Sequence, residues 1–468
     1  MKLEQLKLNT PYLNLDEEFF HKVAPTPLQN PFLISANTAL AQSLHVSVEE
    51  LQSEAFVALL NGTYTLQGST PYAMCYAGHQ FGYFVPRLGD GRAINLGTYQ
   101  GWHLQLKGSG LTRYSRQGDG RAVLRSSIRE YLMSEAMHAL GIPTSRALGI
   151  IGSDENVARE QWEKGAIVLR ASQSWVRFGS FEYFYYKRKY DKLQQLADYV
   201  MQENYSEFVG RESCYTLMYE EIVKRTAELM AYWQSVGFSH GVMNTDNMSI
   251  AGFTIDYGPY AFLDDYDFNF ICNHTDVEGR YSFGNQPNIG YWNLSMLQKA
   301  LSPLIDSQKA QEVLEKYSAY FISKYHALMC SKLGLDSSKD YGKLIQWLLN
   351  IMQNDAVDYT LFFRKLGEYN TRDEIINLFI SPIRINEWLD EYEKELTCKE
   401  IMKQTNPKYV LKNYMLQEAI EKAQSGDFSL VDVLLNIAQN PFDEHEEFQR
   451  YAQATPHHLK ALKLSCSS

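Results

Sequence analysis

No stretch of this 468-residue sequence runs to about 18 apolar residues, which leaves no candidate transmembrane helix. The opening, MKLEQLKLNTPYLNLDEEFF, lacks a continuous apolar core and does not read as a secretory signal. Long basic runs are missing too, and the formal net charge is −11. A nucleic-acid binder displaces counterions with a basic surface, so nucleic acid is a poor partner for this chain. Cysteine is sparse and scattered, at Cys75, Cys214, Cys272, Cys330, Cys398 and Cys466, with no C-x-x-C pair. That argues against a zinc ribbon and a dense disulfide framework, and the expectation is a reduced, cytoplasmic protein with no membrane partner. Repeats and low-complexity tracts are absent. Aromatics are plentiful, with 32 Tyr and 23 Phe, and the length suits one large elaborated domain or two.

Four regions are expected. Residues 1–70 read as an extended N-terminal arm with a helix over 46–60. Residues 71–184 read as a β-rich, nucleotide-binding unit. In it Trp102, Leu104 and Leu106 alternate with His103, Gln105 and Lys107, the period of a half-buried strand. The Gln100-Gly101 turn joins that strand to a run at 93–96. A helix over 124–140 stops at Gly141, with Pro143 beyond, and residues 165–171 form a further strand. Residues 185–340 are mainly helical; Ile222, Val223, Thr226, Met230, Trp233 and Val236 share one helical face that ends at Gly237. Two short strands, 248–250 and 254–256, are expected to turn at Gly252. Residues 341–468 form a helical extension with a cysteine-bearing tail.

Three clusters could carry chemistry, and their order matters. In LGDGRA, Gly89 and Gly91 can bring backbone N–H groups to phosphate oxygens and Arg92 adds charge, although a tight turn explains the glycines equally well. No GxxxxGK[ST] loop occurs. Lys107 follows on its strand, and Glu130 comes 23 residues later on a helix, the pairing by which kinases fix a phosphate-binding lysine. Next come HGVMNTDN (240–247) and IDYG (255–258). Set against the kinase pattern H-R-D-L-x-x-x-N and D-F-G, His240, Asn247 and Asp256 fall into place, but Val242 stands where the base aspartate belongs. Asn247 and Asp256 are hard oxygen ligands suited to Mg²⁺ or Mn²⁺, and Asp246 is the replacement base. Between the clusters, Asp119, Gly120, Arg121, Arg125, Arg170 and Arg177 bring more positive charge than one kinase phosphate site needs, which hints at a triphosphate in an unusual pose.

The runs GHQFGYFVPRLGDGRA, LKGSGLTRYSRQGDGRAVLRSSIREYL, HGVMNTDNMSI, TIDYGPYAFLDDYD and RYSFGNQPNIGYWNL resemble the selenoprotein O family of protein adenylyltransferases, and the likeness extends over nearly the whole chain. The resemblance implies an α+β, protein-kinase-like two-lobed fold with a small β-rich lobe and a larger helical lobe. It implies ATP bound in a flipped pose and AMP transferred to Ser, Thr or Tyr of proteins with release of pyrophosphate. Carried over by motif, Gly89, Gly91, Arg92, Lys107, Asp119, Gly120, Arg170, Arg177 and Asp256 bind nucleotide and Glu130 pairs with Lys107. Asp246 accepts the proton, and Asn247 with Asp256 holds Mg²⁺ or Mn²⁺. The tail cysteine matches the family's cysteine form, and Cys272 and Cys466 are a candidate redox pair. The residues leave open whether UTP is used. They also leave open an atypical kinase that transfers the γ-phosphate, or a non-catalytic nucleotide-binding scaffold.

Overall fold

Gln100 (φ +47°) and Gly101 (φ +81°) both sit in the left-handed region, the signature of a two-residue type I′ turn whose twist matches the strands it joins. The hairpin they close is the centre of the sheet. In the computed structural model, which describes residues 1–460 and Leu462, the chain is α+β. Its strands are β1 (Phe20–Lys22), β2 (Phe32–Ala36), β3 (Tyr72–Met74), β4 (Gly78–Gln80), β5 (Tyr83–Val85), β6 (Ala93–Tyr99), β7 (Trp102–Lys107), β8 (Ala122–Val123), β9 (Arg146–Ala158) and β10 (Trp162–Ser172), followed by the short pair β11 (Phe238–Ser239) and β12 (Ala261–Phe262). Eight of them form one antiparallel sheet in the order β1-β3-β6-β7-β10-β9-β2, with β8 paired to β10.

The segment read as an arm is woven into this sheet. It supplies both edge strands, β1 and β2, and its helices α1 (Thr38–Ser43) and α2 (Glu54–Leu60) cover one face. Leu40, Leu44, Phe56 and Leu60 pack there with Leu104, Leu106, Ile151, Ile167 and Leu169. The single helix expected over 46–60 is instead broken. A 3₁₀ turn at Val48–Gln52 ends where the Ser53 hydroxyl caps α2 by accepting the Phe56 N–H at 3.1 Å.

Helix α3 (Leu124–Ala139) lies on the opposite face and ends as expected, with Gly141 at φ +74° beyond it. Helices α4 (Phe178–Tyr186), α5 (Tyr190–Asn204) and α6 (Cys214–Val236) follow, the last stopped by left-handed Gly237. The C-terminal helices Asn413–Gln424 and Ser429–Gln439 fold back onto α3, so the terminal region covers the sheet-side helix as well as the other helices. Because α3 is packed on both sides, Ser127, Arg129, Glu130 and Glu135 are buried although they lie off its apolar stripe. No helix among the described residues is long and apolar enough to cross a membrane.

Candidate active site

Strand β7 is buried on both faces, not half-buried as its alternation suggests: Leu104 and Leu106 face the arm, while His103, Gln105 and Lys107 are also buried. The polar side is tolerated because its groups satisfy one another. Lys107 Nζ stands 2.8 Å from Glu130 Oε2 and 2.5 Å from Asp256 Oδ1. Arg170, from the paired strand β10, places Nη1 at 2.7 Å from Glu130 Oε1 and 3.2 Å from Asp256 Oδ1, and its Nη2 donates to Gln105. Two cations and two carboxylates thus form one buried knot. Burial would raise the Asp256 carboxyl, but Lys107, Arg170 and Arg177 outweigh it and hold the group well below the ordinary carboxylate range.

A cavity of about 450 Å³ opens in front of this knot. Gly89, Gly91, Arg92, Lys107, Asp119, Gly120, Glu130 and Asp246 line it, so most of the residues singled out in the sequence converge on one wall. Asn247 and Asp256 are not among its lining residues, nor are Arg170 and Arg177. The two arginines stand behind it, Arg170 on Asp256 and Arg177 donating from Nη1 to the Asp246 carbonyl at 2.8 Å. The surplus of positive charge is smaller than the sequence suggests, because Arg121 pairs with Glu155 and Arg125 with Glu163. Asp119 is itself engaged, its carboxylate accepting from Arg159 at 2.7 and 3.0 Å. Arg92 and Arg116 are lining cations without an ion pair among the described residues. Tyr76, Tyr114, Arg116 and Arg159 also line the cavity and were not singled out. Arg116 lies in a quoted run, SRQGDGR, but Tyr76 and Tyr114 carry no local signal. Gly89, at φ +130°, is required by packing as well: a Cβ there would fall 2.4 Å from the Tyr114 ring.

The catalytic-loop motif ends in a 3₁₀ turn, Thr245–Asn247; the strands expected at 248–250 and 254–256 do not form, and the two segments meet through a single bridge, Met248 with Thr254, around left-handed Gly252. Asp246 is 7% exposed, and its Oδ2 accepts from Gln80 Nε2 at 3.3 Å while its Oδ1 is buried with no hydrogen-bond partner among the described residues. Burial pushes its carboxyl up to about 6, with Arg177 and Gln80 opposing. Burial likewise pushes His240 down to about 4, so the imidazole is neutral, with Nε2 at 3.2 Å from the Asp256 carbonyl. Val242 is buried and apolar where kinases keep a base. Asn247 donates through Nδ2 to the Val242 carbonyl at 3.1 Å, a bond that does not use its amide oxygen.

No cluster of three or more His, Cys, Asp or Glu that could enclose a metal occurs among the described residues. The donor set is therefore one carboxylate and one amide oxygen, which fits a Mg²⁺-like ion completed by substrate phosphates and water. Cys272 is a free buried thiol whose Sγ donates to the Pro259 carbonyl at 2.8 Å, and burial pushes it up to about 12. Its expected partner, Cys466, lies outside the described residues.

Comparison with known proteins identifies the family. Residues 2–439 match the family described as protein adenylyltransferase SelO. The protein nucleotidyltransferase YdiU of Myxococcus xanthus is 46% identical, covering 100% of this chain and 99% of that protein. Its counterpart in Thioalkalivibrio sulfidiphilus is 47% identical over 100% of both chains, and that of Herminiimonas arsenicoxydans is 45% identical over 100% of this chain and 98% of its own. Matched along its full length by these nucleotidyltransferases, the chain belongs to the SelO family.

Proposed function

We propose that this protein transfers AMP from ATP to Ser, Thr or Tyr hydroxyls of protein substrates, releasing pyrophosphate, on a two-lobed fold related to protein kinases. The observation that carries the reading is the pairing of a blank and a substitute. Val242 fills the kinase base position, while Asp246, four positions on, lines the same cavity as Lys107. A base moved along the loop serves a substrate whose reacting phosphorus has also moved, as in a nucleotide bound with its α-phosphate toward the acceptor.

In this reading the Asp246 carboxylate accepts the hydroxyl proton as the oxygen attacks the α-phosphorus, a contribution of about 10²–10⁴-fold. Lys107, fixed by Glu130, and Arg92 bind phosphate oxygens, while Gly89, Gly91 and Gly120 let the backbone approach them. Asp119 holds Arg159 at the cavity wall. Arg170 and Arg177 act from behind, fixing Asp256 and Asp246. Asn247 and Asp256 would hold Mg²⁺ or Mn²⁺, which supplies neutralisation of the charge that builds on the departing pyrophosphate. The remaining catalysis is positioning by the pre-formed knot.

The test is ATP labelled at either the α- or the γ-phosphate, incubated with Mg²⁺ or Mn²⁺ and wild type, Asp246→Ala or Asp256→Ala. Label on protein from α-ATP alone, lost in both variants, is the expected result. Label from γ-ATP alone would make the protein a kinase, and consumption of neither would make it a scaffold.

A further inference from the structure

The strand β4, Gly78–Gln80, has no place in the nucleotide chemistry, yet it is built against the proposed base. Gly78 abuts Asp246 so closely that a Cβ on it would fall 2.7 Å from Asp246 Oδ1 and 2.9 Å from Asp246 Cβ. The next residue, His79, donates its backbone N–H to Thr245 Oγ1 at 2.7 Å, and Thr245 donates in turn to Glu182 Oε2 at 2.8 Å. Glu182 Oε1 lies 2.9 Å from His79 Nδ1, which closes a ring of bonds among three buried residues immediately before Asp246. Gln80 then reaches Asp246 Oδ2 at 3.3 Å. At the strand's turn, the Phe81 N–H donates to Asn244 Oδ1 at 3.2 Å and to Tyr281 Oη at 2.9 Å. One three-residue strand and its turn therefore hold both sides of the loop that bears Asp246.

We propose that Gly78, His79 and Gln80, with Glu182 and Thr245, are positioning residues that aim the Asp246 carboxylate. Gln80 engages Oδ2, and Oδ1 is buried against Gly78, where no side chain would fit, so both carboxylate oxygens are held in place. The ring through Thr245 fixes the backbone from which that carboxylate springs. This rests on Asp246 being the base, and it assigns no nucleotide contact to any of the five. A displacement of about 1 Å in a reacting group costs on the order of 10²-fold, so loosening the ring lowers turnover while nucleotide binding is kept.

The experiment compares Thr245→Val, Thr245→Ser and Gln80→Ala with wild type, using both α- and γ-labelled ATP for transfer and a labelled-ATP binding assay with Mg²⁺. Thr245→Val is expected to lower turnover about ten- to a hundredfold with ATP affinity within about twofold, Thr245→Ser to restore most of it, and Gln80→Ala to lower it about tenfold. Transfer is scored on whichever label the wild type uses, so a γ-label result would sink AMP transfer without touching the positioning role. Turnover within threefold of wild type in both Thr245→Val and Gln80→Ala, or loss of ATP affinity in step with turnover, would overturn the proposal. Should Thr245→Val fail to fold, a crystal structure of Gln80→Ala decides: a rotated Asp246 carboxylate supports the role and an unmoved one overturns it.

Discussion

Lys107 and Arg170 each touch both Glu130 and Asp256, so removing either carboxylate leaves two cations sharing the other. Taking one partner from a buried ion pair costs about 3–5 kcal/mol, because the remaining charge stays desolvated. Glu130→Gln preserves shape and removes charge, so urea unfolding should show a loss of that size, and transfer should fall at least tenfold because Lys107 is no longer held. Equal stability in the variant would show that Asp256 alone satisfies both cations. The residues of this knot were legible because kinase-like motifs space them: a strand lysine, a helix glutamate and an aspartate before Tyr-Gly. Which arginines face the cavity was not legible. Arg121 and Arg125 read as surplus positive charge near the phosphate site, but Glu155 and Glu163, more than thirty positions away, neutralise them. His79 and Gln80 stand in a quoted run, GHQFG, but nothing in its local pattern tells a strand that cradles a base from one that fills a sheet.

At the scale of elements, several stops and one hairpin were legible from local turn and cap residues, although the helix expected over 46–60 is broken and the strands expected around Gly252 do not form. The β6–β7 hairpin, the stop of α3 and the stop of α6 all follow from turn and cap residues within a few positions. The pairing of β1 with β3 and of β2 with β9 has no such signature, since a three-residue strand carries no usable period. Burial at helix ends was equally hidden. Lys332 lies in the last turn of the helix Tyr317–Leu333, a place where a lysine ordinarily reaches solvent, yet it is 4% exposed. Its Nζ donates to Asn406 Oδ1 at 2.9 Å and sits 4.3 Å above the Phe363 ring, with Tyr359 the nearest titratable neighbour in its ring contacts at 5.7 Å. Burial pulls the amine down from 10.5 to about 7. Between those values the unfolded chain holds a proton that the folded chain has released, so stability rises with pH across that window. Above 10.5 the gain is complete, and below 7 the penalty of burying the charge is at its full size. The rise is up to roughly 5 kcal/mol at about 1.4 kcal/mol per unit. Denaturant midpoints measured from pH 7 to pH 10 should climb in wild type relative to Lys332→Met; parallel curves would show that the amine is solvated.

At the scale of the molecule, the two chain ends meet around the helix that carries Glu130. Ser35, in β2, donates to Asp432 at 2.6 Å, and Gln439 donates to both Asn37 and Glu135 at 2.9 and 3.2 Å. The terminal helix Ser429–Gln439 buries Leu430, Val431, Leu434, Ile437 and Ala438, part of the same apolar cluster as Ile128, Leu132 and Ala136 of α3. Each large aliphatic side chain contributes about 1.5–3 kcal/mol when buried, and a whole protein is stable by about 5–15 kcal/mol. That one helix therefore stabilises the chain by an amount comparable to the entire margin, and it does so at the outer face of the helix that fixes Lys107. A chain ending at residue 426 should consequently lose its cooperative thermal transition and its nucleotide binding together, although no residue proposed to touch nucleotide has been removed. A truncated chain that melted within about 5 °C of the full one would show that α3 is held by the sheet alone. If it melted there but bound ATP weakly, the terminal helix would act on the orientation of Glu130, and Glu130→Gln in the full chain should reproduce that loss.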